Sequence, residues 1–415
     1  MPDLSTQTAL ETTFDFHELI YSRTDERGVI LSGNGVFQRM TGIEWCNLIG
    51  APHRAIRHAD MPAGFFHLFW ALLKQGEPAV GYVKNRRADG AAYWVLAAAM
   101  PCDGGYFSVR MRPSSPVFVA TRDLYARQRK RETAENLSPE ASAEELRCAL
   151  SAMGFASYAA FAAHAFVEET RARNTWIGRR DERSAGAQMT LISLLEETLA
   201  EQNLLTALFA DLLILPVNMR LAAARLEPQG GPLSQIAMNY KSSSEEIARQ
   251  LSSFVSGKSN LCAQMAQAVR RSLILSSCAH LQDELVATYD RQTNNYAGQD
   301  RRMERPLLVR VRDQNAVRAR TLLAEAAQLA AELTEASNGC RRMILGLDTI
   351  RILARVESRK SRQSQDVLTA TIDKIDTVQA AISKSLGLLM GRTQLIEQSL
   401  ADLRGTGTAM VLAAV

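Results

Sequence analysis

The sequence predicts an α+β module, an antiparallel sheet with flanking helices, followed by a long all-α region of antiparallel coiled-coil or four-helix-bundle type. Three observations carry this expectation. Short apolar runs bounded by glycine lie before about residue 120. Beyond that point alanine and leucine dominate, which favours helix. Near the C-terminus, apolar residues recur at alternating steps of four and three.

The elements follow in order. Gly28-Val29-Ile30-Leu31-Ser32 reads as a strand after a turn at Asp25-Glu26-Arg27. Phe65 to Lys74 has helical apolar spacing. Ala79 to Asn85 and Ala92 to Ala97 read as two strands of a hairpin. Asp89-Gly90 between them supplies the positive φ that such turns need. A second turn at Cys102-Asp103-Gly104-Gly105 leads to a last strand, Tyr106 to Met111. Leu124 to Glu135 reads as a linker helix, and Pro139 marks the start of another. From about residue 186 long helices dominate. Positions 368, 372, 375, 379, 382, 386, 389, 393, 396 and 400 read Leu, Ile, Ile, Gln, Ile, Leu, Leu, Thr, Ile, Leu, a heptad seam. Ile214 to Glu227 also aligns without gaps on Ile344 to Glu357, as expected of two helical hairpins in one bundle.

Composition narrows the function. The 415 residues carry a formal charge of +4 and no long basic run, which argues against nucleic acid. No stretch reads as a membrane span, because Asp211 interrupts the most apolar one, Leu204 to Val217. No secretory signal is visible, and six scattered cysteines without Cys-x-x-Cys pairs suggest a reducing cytoplasm. No nucleophile elbow, Walker loop or dinucleotide fingerprint is present, so the chain reads as a non-enzyme.

The segment Pro52 to Pro62 concentrates Arg54, Arg57, His53, His58 and Asp60 beside apolar neighbours. Such donors suit a phosphate or the edge of a flavin ring. Trp70 and Trp94 suit walling off a planar group, and the amide of Asn85 can both donate and accept. A solvated charged loop beside core tryptophans is the alternative reading of the same residues.

Residues 15–115 resemble the PAS sensor domain of the aerotaxis-receptor family. The resemblance rests on Ile49-Gly50-Ala51-Pro52-His53, Arg57-His58-Ala59-Asp60-Met61-Pro62, Lys74-Gln75-Gly76-Glu77-Pro78, Gly81 to Gly90 and Tyr93-Trp94-Val95. It implies non-covalent FAD, with Asn34, Arg57, His58, Asp60, Trp70, Asn85 and Trp94 at the flavin. The family often has an amide-bearing residue where this chain has Ala98, which implies one ring hydrogen bond fewer. Asn218 to Arg225 resembles a degenerate chemoreceptor signalling tip, with Asn218, Arg220, Arg225 and Glu227 as tip residues.

The expected organisation is a tail (1–14), the PAS domain (15–117), a helical linker (118–185) and two chemoreceptor-like hairpins (186–300 and 301–415). The resemblance implies a redox or oxygen sensor whose linker helix, about 118–135, passes the signal to the bundle. Its implied partners are a chemotaxis histidine kinase and coupling protein, or a second copy in a homo-oligomer. Two alternatives stand beside it. One is a cofactor-free interaction scaffold. The other is a haem-binding domain using His58 or His67.

Overall fold

The computed structural model describes residues 11–179, 182–226, 231–255, 260–291, 301–358 and 365–412. They form two compact units. One comprises residues up to Met189 with Arg270–Leu322, the other Thr190–Val269 with the residues from Leu323 onward.

The first unit is built on five antiparallel strands: β1 Ile20–Thr24, β2 Ile30–Gly33, β3 Ala79–Arg86, β4 Ala92–Cys102 and β5 Gly105–Met111. Their order is β2-β1-β5-β4-β3. Short helices α1 (Gly35–Thr41) and α2 (Trp45–Leu48), a 3₁₀ turn (His53–Ile56) and helix α3 (Ala63–Lys74) connect β2 to β3. The β3–β4 turn closes as expected, with Gly90 at φ 86° and the Asp89 carboxylate accepting from the Ala91 amide at 3.0 Å. Strand β1, beside β5 in the middle of the sheet, was not expected from the sequence.

Pairing fixes which side chains share a face, because alternate residues point to opposite sides. Ser22, Thr24, Val83, Asn85, Ala97, Ala99, Ser108 and Arg110 face α3 and the 3₁₀ turn. Tyr21, Arg23, Tyr82, Trp94 and Met100 alternate onto the back. Of the expected tail, residues 1–10 lie outside the described residues. Thr12 bonds the Ala92 carbonyl at 2.8 Å, and Phe14 is in the core.

The region expected to link sensor and bundle folds back onto the sheet. Helix α4 (Pro116–Glu135) is capped by Ser115 and ends at Asn136 in the left-handed region, φ 49°. It leads into α5 (Pro139–Ala152), which packs on α3, and α6 (Tyr158–Trp176), which packs on β3. This corrects the expected route through α4, since a helix that turns back at residue 136 does not run into the bundle. Gly81 of β3 is required by this docking: a Cβ there would meet the Phe65 ring at 2.4 Å and the Tyr158 hydroxyl at 2.8 Å.

At the centre of the docking sits Glu169, fully buried on α6. Its carboxylate accepts from the Tyr82 hydroxyl (2.9 Å), the Ser115 hydroxyl (2.6 Å) and the Ser114 amide (2.7 Å), with the Ser115 amide at 3.1 Å. Burial pushes its pKa up, and the surrounding donors oppose that shift.

Two further helices of this unit cover the sheet's back: α9 (Leu261–Arg291) from Arg270, and α10 (Arg301–Ser358) as far as Leu322. Gln282 and Asn315 donate to the Met100 sulfur at 3.3 and 3.0 Å, and Asn315 Nδ2 also donates to Gln282 Oε1 at 3.1 Å. The Tyr21 hydroxyl donates to Glu304, which also pairs with Arg23 at 2.9 Å. Arg173 on α6 grips Glu284 on α9 through both terminal nitrogens, each at 3.0 Å.

The second unit is an antiparallel four-helix arrangement of α7 (Glu182–Leu226) from Thr190, α8 (Pro232–Val255), α10 from Leu323 and α11 (Gln365–Leu412). Gln202 ties α7 to α8 through the Val255 carbonyl (2.6 Å). Arg392 ties α11 to Glu201 of α7 (2.6 Å), and Arg351 ties α10 to Asp376 of α11 (2.6 Å). Every heptad seam position from Ile372 to Leu400 is buried, while the side chain at 368 lies outside the described residues. Gln379 in that seam has no partner at either amide atom.

Two sequence expectations need correction. The ungapped repeat sets exposed Ile214 and Val217 against buried Ile344 and Leu347. Burial phases agree instead when Leu205, Phe209, Leu212 and Met219 are set against Leu333, Ser337, Cys340 and Leu347. Heptad spacing, not residue identity, is what the two hairpins share. In addition, Gly186–Leu221 of α7 is long and apolar enough to cross a membrane, with mean hydropathy 1.7. Leu195, Leu205, Phe209, Leu212 and Leu215 of this stretch are buried in the bundle, whereas Leu204, Leu213, Ile214, Val217 and Leu221 are exposed.

Replacing Glu169 by glutamine presents an amide donor to a ring of donors. Chemical denaturation of Glu169→Gln should show a loss of about 1–3 kcal/mol, the cost of an unpaired buried polar group.

Candidate ligand cavity

A cavity of about 420 Å³ lies between the front of the sheet, the 3₁₀ turn and α3. That volume falls within the roughly 300–1,000 Å³ typical of small-molecule sites. Its apolar walls are Phe66, Phe69, Trp70, Leu73, Val83, Ala97 and Ala99. Trp70 stands edge-on to Tyr106 with ring centres 5.4 Å apart. Gly28, at φ 80°, passes close to that indole, so a Cβ would touch it at 3.4 Å.

The polar wall is electropositive. Four arginines, Arg27, Arg54, Arg57 and Arg110, line the cavity, and among the described residues no aspartate or glutamate does. Arg57 lies 3.3 Å over the Phe66 ring, and its Nε has no acceptor. Burial and neighbouring Arg54 lower its pKa to about 10, so it stays charged at neutral pH. The Asn85 Nδ2 is likewise buried, with only a poorly aligned contact to the buried Tyr93 hydroxyl.

Arg110 is 4% exposed. Its Nη2 donates to the Ser22 hydroxyl at 2.9 Å and lies 2.7 Å from His53 Nε2, while Nη1 has no partner. Burial, then the charges of Arg110 and Arg57, push the His53 pKa down to about 3. His53 is therefore neutral and its Nε2 accepts from Arg110.

Of the residues expected at the flavin, Arg57, Trp70 and Asn85 line this cavity. Asn34, His58, Asp60 and Trp94 do not. Asn34 caps α1: its Oδ1 accepts from the Phe37 and Tyr21 amides and its Nδ2 donates to the Leu19 carbonyl. His58 Nδ1 accepts from the Asp60 amide at 3.2 Å, and Asp60 pairs with Lys84 at 2.6 Å. Trp94 points to the back of the sheet, edge-on to Phe118, with its indole N–H on Glu11. Ala98 also faces away, whereas Ala97 and Ala99 line the wall, so the substitution at 98 removes no direct contact with the cavity.

Sequence reasoning missed Arg110 and left His53 off the flavin list. The available signal was an arginine at the inward phase of an otherwise apolar strand, Tyr106-Phe107-Ser108-Val109-Arg110-Met111. Neither His58 nor His67, the axial ligands expected for haem, lines the cavity; the histidine that does is His53, whose Nε2 faces Arg110. Among the described residues no cluster of three or more His, Cys, Asp or Glu suits a metal ion. Asn218 and Arg220 are exposed on α7; the Arg225 side chain and Glu227 lie outside the described residues.

The buried neutral His53 makes stability pH-dependent. Its pKa is lower folded than unfolded, so the unfolded chain binds more protons between about pH 6.5 and 3. The stabilising contribution is complete above about pH 6.5 and shrinks as pH falls. From pH 6.5 to 5 the wild type should lose about 2 kcal/mol more than His53→Gln, measured by denaturation at each pH.

Residues 30–107 match the family described as the PAS fold. The aerotaxis receptor of Escherichia coli (strain K12) is 40% identical over 111 residues, covering 26% of this chain. The match covers 22% of the receptor's own length. The strand order, the helices between β2 and β3 and the cavity they enclose thus belong to a PAS domain similar to that of the aerotaxis receptor.

Proposed function

We propose that this chain is a non-catalytic signal-transduction protein of aerotaxis type. In this reading the PAS cavity holds FAD, and its redox state biases the helices packed on the sheet's back. The observation that carries the reading is the cavity's donor set. Unpaired nitrogens of Arg57 and Arg110, with the loosely held amide of Asn85, line an apolar slot that has no carboxylate among the described residues. A flavin offers what that set lacks, a planar body with carbonyl and ring-nitrogen acceptors and a phosphate-bearing tail. Trp70 and Phe66 would wall the ring, Arg57, Asn85 and Arg110 would meet its polar edge, and Arg27 and Arg54 would face the phosphates. Bound FAD would supply reversible electron uptake.

Transmission rests on strand alternation. Ser22 on the cavity face neighbours Tyr21 and Arg23 on the back, and both of these hold Glu304 of α10. Ala99 on the cavity face neighbours Met100, which meets Gln282 and Asn315. A small movement of β1 or β4 at the ligand therefore changes contacts made by α9 and α10. Such a signal needs two arrangements of the back-face contacts that the two ligand states favour differently.

The partner follows from the receptor resemblance: a histidine kinase with its coupling protein, or a second copy of this chain. Exposed Ile214, Val217 and Leu221 on α7 and Ile352, Leu353 and Val356 on α10 suit such protein contacts. The same rows support the second reading, a cofactor-free scaffold that works through its helices alone. We place the protein in the cytoplasm.

Purified protein should be yellow, and chromatography of the released chromophore should identify FAD. Arg57→Gln should weaken FAD binding about 10- to 100-fold, the value of a charge-assisted hydrogen bond. Trp94→Ala, on the far face, should leave it within about twofold. Colourless protein that does not take up added FAD sinks the sensor reading in favour of the scaffold.

Glu304→Gln separates binding from output. It should retain FAD while abolishing any redox-dependent difference in hydrogen exchange of α9 and α10. Equal exchange in the oxidised and reduced wild type would remove the transmission route altogether.

A further inference from the structure

We propose that Arg110 makes the cavity discriminate by charge, holding the reduced, anionic form of the ring more tightly than the oxidised, neutral form. The inference rests on the flavin reading and adds a role for a residue outside the expected flavin set.

Three observations carry it. First, the Arg110 guanidinium is almost completely buried, and its recorded partners, Ser22 and His53, are both neutral. Buried charges are ordinarily paired, because desolvation of a lone ion is costly. Here the charge is placed where an opposite charge can arrive. Second, Nη1 has no partner, although the residue lines the cavity. Third, no carboxylate lines the cavity that could compete for it. The Phe37 ring, 5.5 Å from the guanidinium, gives partial compensation in the meantime.

His53 and Ser22 hold the guanidinium in place. His53 accepts at 2.7 Å through a ring kept neutral, so it orients Arg110 without cancelling its charge. The ring also lies nearly parallel to Phe37, 9° between planes, which fixes its tilt. A neutral ligand would meet Arg110 through an ordinary hydrogen bond. A negatively charged one would meet it through a charge-assisted bond in a largely water-free site, roughly twice as strong. That difference, multiplied through the binding equilibrium, appears as a raised reduction potential.

Arg110 also sits on β5, directly opposite Ile20 of β1, and Tyr21 next to Ile20 carries the contact to Glu304. The residue that gains a partner on reduction therefore lies beside the strand whose reverse face holds α10.

The test is a redox titration of the full chain loaded with FAD, comparing wild type, Arg110→Gln and Arg110→Lys. Arg110→Gln should favour the oxidised form by about 100-fold relative to wild type, a fall of about 60 mV for a two-electron couple. Arg110→Lys, which keeps the charge but not the fork, should recover most of that fall. FAD bound by all three proteins at one potential overturns the charge role and leaves the flavin reading intact. Failure of the wild type to bind FAD overturns both. If Arg110→Gln does not fold, the comparison of wild type with Arg110→Lys at raised pH decides. Neutralising the lysine should lower the potential of that variant beyond the fall that proton uptake by the flavin gives both proteins, and an equal fall in the two overturns the proposal.

Discussion

A single antiparallel sheet has two faces, and in this protein both are committed. Strand alternation means that each residue facing the cavity has neighbours pressed against helices on the other side. Ser22 stands between Tyr21 and Arg23, and Ala99 precedes Met100. Cavity wall and back-face packing therefore share the same strands. The helices packed on the back come from far along the chain, around Gln282, Glu304 and Asn315.

Two carboxylates illustrate how that back face is held. Glu169 is buried among donors and has no cation, so its value lies in the number of hydrogen bonds it accepts. Glu304 serves a tyrosine and an arginine together, a mixture of hydrogen bond and ion pair. The front face is the inverse, with cations and no carboxylate. The sheet thus separates charge, with arginines at the cavity and buried carboxylates at the back.

Much of this was legible in the sequence. The hairpin at Asp89-Gly90, the helix ending at Lys74 and the seam from Ile372 to Leu400 all follow from local chemistry and spacing. Arg57, Trp70 and Asn85 were legible as cavity residues through their motif. What escaped depends on contacts distant in sequence. Strand β1, Ile-Tyr-Ser-Arg-Thr, looks polar on both faces because Tyr21 and Arg23 are satisfied by Glu304, which sequence order does not bring near. Trp94 was placed at the ligand by its motif, yet pairing with Lys84 rather than Asn85 puts it on the opposite face. Helices α4 to α6 looked like a linker because nothing local reveals that α6 docks through Gly81 and Glu169.

The amide of Gln379 has a consequence for the bundle. Leucine at that depth would add apolar contact, whereas the amide is buried with neither of its atoms partnered. Its cost of about 1–3 kcal/mol falls on one layer of the seam. The chain gives up cohesion there, which makes that layer the place where its long helices part most readily.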